Sequence, residues 1–378
     1  MQQATQPQTT GLRRGKSLVE LATELERIKN NTRDFLVPAG KLSMNENAEL
    51  CFTTPPKIAL AYQPIENHEK TVALNSWSSG QLANFTEIPK AYYDRIKKEN
   101  PRLLADSVNH GLARKPTEPR MVRTVDGKVR AFVSNKFRRG LGNFELLDSN
   151  LEIMMEKGFQ VQSAELTDQR LYVKAVSPKV QAEIKVGDVV NFGIVLSNSD
   201  VGAGEFRLET FIYRLSCLNG MVGAKLTSAR HLQRAISSGE ESMEIFSDQT
   251  LNLSDAAFFS GMRDMFLNAI KPENFDVAVN KLREASERKI YNTNLDQVVE
   301  LTMNATKVRG EGIKHSILAA LMSGNEGAGL TQYGLVNSFT RAAQDAALDY
   351  DTATELERAG GQIIELGAQQ WKRIAESH

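Results

Sequence analysis

The sequence predicts an α+β fold: a mixed or antiparallel sheet built from hairpins, with helices on one face, followed by a mostly helical C-terminal region. Three observations predict it. An Asp-Gly pair stands between two alternating runs, "RMVRTV-DG-KVRAFVS", which is the strongest short signal for a β-hairpin. One helical segment and then four more strand-like runs follow it. From about residue 224 onward, apolar residues recur almost wholly at helical spacing.

The first 16 residues, "MQQATQPQTTGLRRGK", are polar and have no apolar core, so they are expected to be a disordered tail rather than a secretory signal. Residues 17–34 read as a helix with Leu18, Leu21, Leu25 and Ile28 on one side. Ser17 is its expected N-cap, with Glu20 three residues on. Residues 35–75 are mixed, with short strand-like runs such as "KIALAYQPI". Residues 78–111 are helical again, and Pro89 and Pro101 each open a helix. After the hairpin comes a helix at about 143–157, closed by Gly158. Strands are expected at about 159–166, 170–177, 188–198 and 206–218, and the glycine-containing "SNSDVGAGE" links the last two as a hairpin turn. A soft boundary near Gly220–Gly223 divides an α+β core, residues 17–223, from a helical region, residues 224–378. No fixed-period repeat is present.

The composition is that of an ordinary soluble globular chain: 378 residues, 41% hydrophobic and 24% charged. No apolar run approaches the roughly 20 residues a membrane span needs. Cys51 and Cys217 are the only cysteines, too few for a disulfide framework or a zinc site, and they suit a reducing cytoplasm.

Acidic and basic residues balance at 46 each, yet residues 110–140 hold nine basic against two acidic side chains, a surplus of seven. In a regular two-residue hairpin, Val125 faces Lys128, Arg123 faces Arg130 and Met121 faces Phe132, all on one side of the ribbon. Two arginines opposite each other repel unless they face water or share an anion. Beside an exposed ring, they have the chemistry of single-stranded nucleic-acid binding, with cations on phosphates and the ring stacked on a base. The expected contact residues are Arg120, Arg123, Lys128, Arg130, Phe132, Lys136, Arg138 and Arg139. The competing reading is a solvated face, or one paired with acidic helices such as "ELERIKNNTRD".

Other chemical signals are weak. The five histidines form no metal-binding spacing, and His231 sits in a basic helical strip. Cys217 reads as a buried thiol at a strand end. "SNSDVGAGE" lacks the ending of a phosphate loop, and Asp200 alone is no metal site. No metal, no cofactor, no small-molecule substrate and no catalytic constellation are expected.

Several segments together are similar to a phage- and plasmid-associated family known only as a domain of unknown function (number nine-three-two). They are "QLANFTEIPKAYYDRIKKENPRLLADSVNHGL", "KVRAFVSNKFRRGLGNFELLD", "VLSNSDVGAGEFRLETFIYRLSCLNGMV" and "YGLVNSFTRAAQD…ELERAGGQII", spanning about 75–370. Ser338 stands where that family often has alanine. The family resembles mobile-element genes near recombination and replication functions. The hairpin, further strands and crossing helix are similar to the core of single-strand annealing proteins of the RecT, Redβ and Erf type. The resemblance implies a non-enzymatic single-stranded-DNA-binding protein for annealing in recombination, in the cytoplasm of a bacterial host. It also implies a homo-oligomer, ring or filament, assembled through the helical region. Two other classes remain open: a mobile-element protein that binds a host protein through the basic surface, and an enzyme using Cys217 or Asp200. If the hairpin is the contact surface, changing Arg123 and Arg130 together to glutamate abolishes binding while the fold survives.

Overall fold

Helix α1 (Leu18–Asn31) starts where the sequence signals it: the Ser17 hydroxyl accepts from the Glu20 N–H, and the Glu20 carboxylate accepts from the Ser17 N–H. Leu21, Leu25 and Ile28 are its buried stripe. The computed structural model describes residues 15–53, 69–137, 142–215, 219–229, 248–323 and 329–376. The expected strand-like run "KIALAYQPI" lies outside the described residues, as do Cys217, His231, Arg138 and Arg139.

The helix ends three residues earlier than its spacing predicts. From Thr32 the chain is extended, because β1 (Thr32–Pro38) pairs antiparallel with the first hairpin strand. A short 3₁₀ turn (Ala39–Lys41) leads to β2 (Leu42–Met44), β3 (Leu50–Thr53) and β4 (Glu69–Leu74). Three helices follow: α2 (Ser76–Phe85), α3 (Lys90–Glu99) and α4 (Pro101–Ala113), with Pro89 and Pro101 at the two later starts. The hairpin is β5 (Pro119–Val125) and β6 (Lys128–Ser134). Asp126 and Gly127 both have positive φ, 50° and 73°, as the two-residue turn requires.

These strands form a six-stranded sheet in the order β1-β5-β6-β4-β3-β2, mixed because β4 runs parallel to β6. Its core joins Phe35, Val37, Leu50 and Val122 to Leu82, Tyr93, Leu104 and Val108 of the three helices.

The second half begins with α5 (Asn143–Glu156), ended at Gly158, whose φ of 74° suits glycine. Next come β7 (Gln160–Leu166), β8 (Leu171–Glu183), β9 (Val189–Asn198), β10 (Phe206–Arg214) and β11 (Asn219–Ala229). They pair in sequence as a five-stranded antiparallel sheet. The α+β class holds, but the hairpin and the later strands belong to two sheets rather than one.

The helical region is α6 (Asp248–Ala269), α7 (Pro272–Glu287), α8 (Leu295–Thr306), α9 (Glu311–Ser323), α10 (Gln332–Ala342), α11 (Tyr350–Ile364) and α12 (Ala368–Glu376). The expected break near Gly220–Gly223 falls inside β11, where ladder pairing with β10 keeps the chain extended to Ala229. These helices have no core of their own. Phe266, Leu282, Val298, Phe339 and Ile363 share one apolar cluster with Phe192, Ile194 and Leu196 of the sheet and with Leu21 of α1. Lys16, expected in the disordered tail, is ordered: its N–H donates to the Ala164 carbonyl at the outer edge of β7, 2.7 Å away. No described helix is long and apolar enough to cross a membrane.

Candidate nucleic-acid interface

The hairpin departs from the regular register at one residue. Val125 faces Lys128 and Thr124 faces Val129, but Arg123 then faces Ala131, not Arg130. Arg130 is the extra residue of a β-bulge. Beyond a bulge the register is shifted by one, which exchanges the faces of the strand. Phe132 now sits opposite Val122 and is 1% exposed, packed in the core against Phe85. Ala131 and Val133 take the other face, which is also covered, by Leu36, Phe137 and Val201. The expected platform of facing arginines beside an open ring is therefore absent.

Most of the hairpin's cations have partners within the chain. Arg123 is buried and grips Asp34 with two parallel bonds, Nε to Oδ1 and Nη2 to Oδ2, both 2.8 Å. Its Nη1 donates to the Asp200 carbonyl at 2.6 Å. Burial acts to lower its pKa, but the charge and hydrogen bonds of Asp34 prevail and hold it above the ordinary value. Arg130 lies 3.7 Å from the Asp200 carboxylate. Arg120 reaches Glu118 at 3.4 Å and covers the rings of Phe85 and Phe132, 4.6 and 5.1 Å from their centroids. Arg114 and Lys115 both hold Glu87 at 3.0 Å. Of the expected contact residues, Lys128 and Lys136 are exposed. Lys128 opens β6 and Lys136 lies in the turn beyond Ser134, the strand between them being roughly 20 Å long, so they do not form one patch.

What the arginines hold is the loop between β9 and β10, the "SNSDVGAGE" turn. Its connection of adjacent antiparallel strands is as expected, but it is mostly buried. The Val201 carbonyl accepts from Trp77 Nε1 at 2.9 Å and from Gln81 Nε2 at 2.7 Å, while Gln81 Oε1 accepts from the Phe132 N–H at 2.8 Å. Arg170 Nη2 donates to the Ala203 carbonyl at 3.0 Å, and a Cβ on Gly204 would lie 1.7 Å from that nitrogen. The Gly204 φ of 154°, where an L side chain is strained, favours glycine there. The loop, gripped by Arg123, Arg130 and Arg170, is the clasp between the two sheets. Asp200 is part of that clasp.

The combination expected on the hairpin occurs on α3 instead. Tyr93 and Ile96 point into the core, and burial raises the Tyr93 phenol to about 12. Tyr92, one residue earlier, faces out and is 38% exposed. The Arg95 guanidinium lies over its ring, 5.4 Å from the centroid. This is the i,i+3 neighbour relation on a helix. Lys98 is exposed and continues the row, which rises about 9 Å from Tyr92 along the helix axis. Lys97 is half-buried and lies off this row, about 160° round the helix from Arg95. Among the described residues, no carboxylate lies within salt-bridge distance of Arg95, Lys97 or Lys98, whereas Lys90 is paired with Asp94 on the same helix.

Sequence reasoning missed these residues, although "YYDRIKK" holds a tyrosine and an arginine three apart, followed by two lysines. The signal was there; which tyrosine of the pair faces water was not. Among the described residues, no group of three or more His, Cys, Asp or Glu side chains is placed to hold a metal ion. Comparison with protein-family models, with curated proteins and with solved structures found no match to this chain.

Proposed function

We propose that the protein binds single-stranded DNA, with the outer face of α3 as the contact surface. One observation carries the reading: an arginine stacked on an exposed tyrosine, with an exposed lysine one turn on, and neither cation within salt-bridge distance of a described carboxylate. Phosphates go to Arg95 and Lys98, and a base stacks on or beside Tyr92. The hairpin arginines are given a structural role. Annealing of complementary strands during recombination, by a homo-oligomer, is the activity that the motif resemblance implies and is part of the proposal. It requires an extended strand with base edges free, which a narrow cationic row on a helix leaves open.

The test is fluorescence anisotropy with a labelled oligonucleotide of about 30 residues, single-stranded and as a duplex, across a salt series. Two phosphate contacts predict a slope of about −1.4 in log K against log salt, since each contributes about −0.7 on a single strand. Changing Arg95 and Lys98 together to glutamate abolishes binding with an unchanged circular dichroism spectrum. Full binding by that variant refutes the site, and no binding by the native protein at about 50 mM salt refutes the function.

A further inference from the structure

Two of the segments quoted above for their resemblance, around residues 212–221 and 333–340, meet at one small cavity. It lies under the end of β10 and the start of β11, closed by Leu282 of α7 and by α10, with about 10 Å³ open to the centre of a water molecule. Its polar wall is Arg214, Asn219, Tyr333, Asn337 and Thr340. The Tyr333 hydroxyl donates to Asp188 Oδ2 at 2.8 Å, and Arg214 Nε donates to the other oxygen of the same carboxylate at 2.6 Å.

Among the described residues, two atoms of this wall have no hydrogen-bond partner: Asn219 Oδ1 and Asn337 Nδ2. Both side chains are more than nine-tenths buried, 3% and 4% exposed. The orientation of Asn219 is not arbitrary. The Thr340 hydroxyl gives its proton to the Asn337 carbonyl at 3.2 Å, so it accepts from Asn219 Nδ2 at 2.8 Å. That leaves the Asn219 oxygen as an acceptor toward the cavity. Asn337 Nδ2 is a donor, and it approaches the Tyr333 phenol without hydrogen-bond geometry.

We propose that this cavity binds one ordered water molecule, which accepts from Asn337 Nδ2 and donates to Asn219 Oδ1. The space fits a single molecule, since about 10–15 Å³ by this measure is what one water needs. The complementary pair of orphaned groups supplies the two partners required at minimum, and the Tyr333 oxygen offers a third. The water adds a second link between the start of β11 and α10, beside the direct bond from Asn219 Nδ2 to the Thr340 hydroxyl.

A crystal structure at about 1.8 Å resolution tests this directly. The expected result is a single density peak within 3.2 Å of both amide atoms, absent in Asn337→Leu crystals. In solution, Asn337→Leu lowers the melting temperature by several degrees, because the Asn219 oxygen is then buried without a donor. An empty cavity in a well-ordered map overturns the proposal, as do two amides bonded directly to each other. Unchanged melting of Asn337→Leu also overturns it.

Discussion

Arg123 shows why a charge count misleads at the scale of one residue. Its charge is read from the sequence, but its partner is set by the pairing of β1 with β5, which puts Asp34 directly opposite it. Removing one member of a buried, doubly bonded pair leaves the other charge unpaired, at a cost of roughly 3–5 kcal/mol. Asp34→Asn is therefore expected to lower the urea midpoint strongly, and Arg123→Glu with Arg130→Glu to unfold the protein rather than leave it folded and unable to bind. Urea denaturation followed by circular dichroism decides between those outcomes. Tyr92→Ala, by contrast, leaves the midpoint unchanged and weakens single-strand binding by roughly 1–3 kcal/mol, about 5- to 150-fold. Lys128→Glu with Lys136→Glu leaves binding within about twofold, because neither residue adjoins α3 in the proposed contact. Which of Tyr92 and Tyr93 faces water was not legible, since both fit the helix until the position of the core is known.

At the scale of elements, local signals were reliable where the chain satisfies itself. The Ser17–Glu20 capping box, the Asp126–Gly127 turn and the Gly158 stop were all legible, because each rests on contacts within four residues. The capping box makes a checkable prediction. Its hydrogen bonds from the Ser17 side chain and backbone hold the Glu20 carboxyl below the ordinary 4.5. A carboxyl lowered on folding contributes its stability above that ordinary value and loses it as the pH falls through the lowered one. Ser17→Ala should return the Glu20 titration toward the ordinary value, read by nuclear magnetic resonance, and lower stability by about 1 kcal/mol. The bulge was not legible, since residues 120–134 alternate well enough for a regular ladder. It forms because the shifted register buries Phe132 against Phe85, a long-range gain. The early end of α1 and the late end of β11 have the same origin: a partner strand overrides local helical spacing.

At the scale of the whole molecule, the α+β class was readable from periodicity, but the number of sheets and the place of the division were not. The later helices are bound into the five-stranded sheet by one shared apolar cluster. A fragment covering residues 224–378 should therefore fail to fold, shown by the absence of a cooperative thermal transition. Close contact between α11 and β11 makes the same point: a Cβ on Gly361 would lie 2.1 Å from the Val222 carbonyl oxygen. Gly361→Ala is expected to cost at least about 1–3 kcal/mol in thermal denaturation. Under the proposed function, the hairpin is structural and α3 meets the ligand. Photocrosslinking of the full-length protein to an iodouracil-substituted single strand, with the attached peptide located by mass spectrometry, separates those roles. The account predicts attachment at Tyr92 within residues 90–99; attachment confined to residues 120–139, with α3 unmarked, would contradict it.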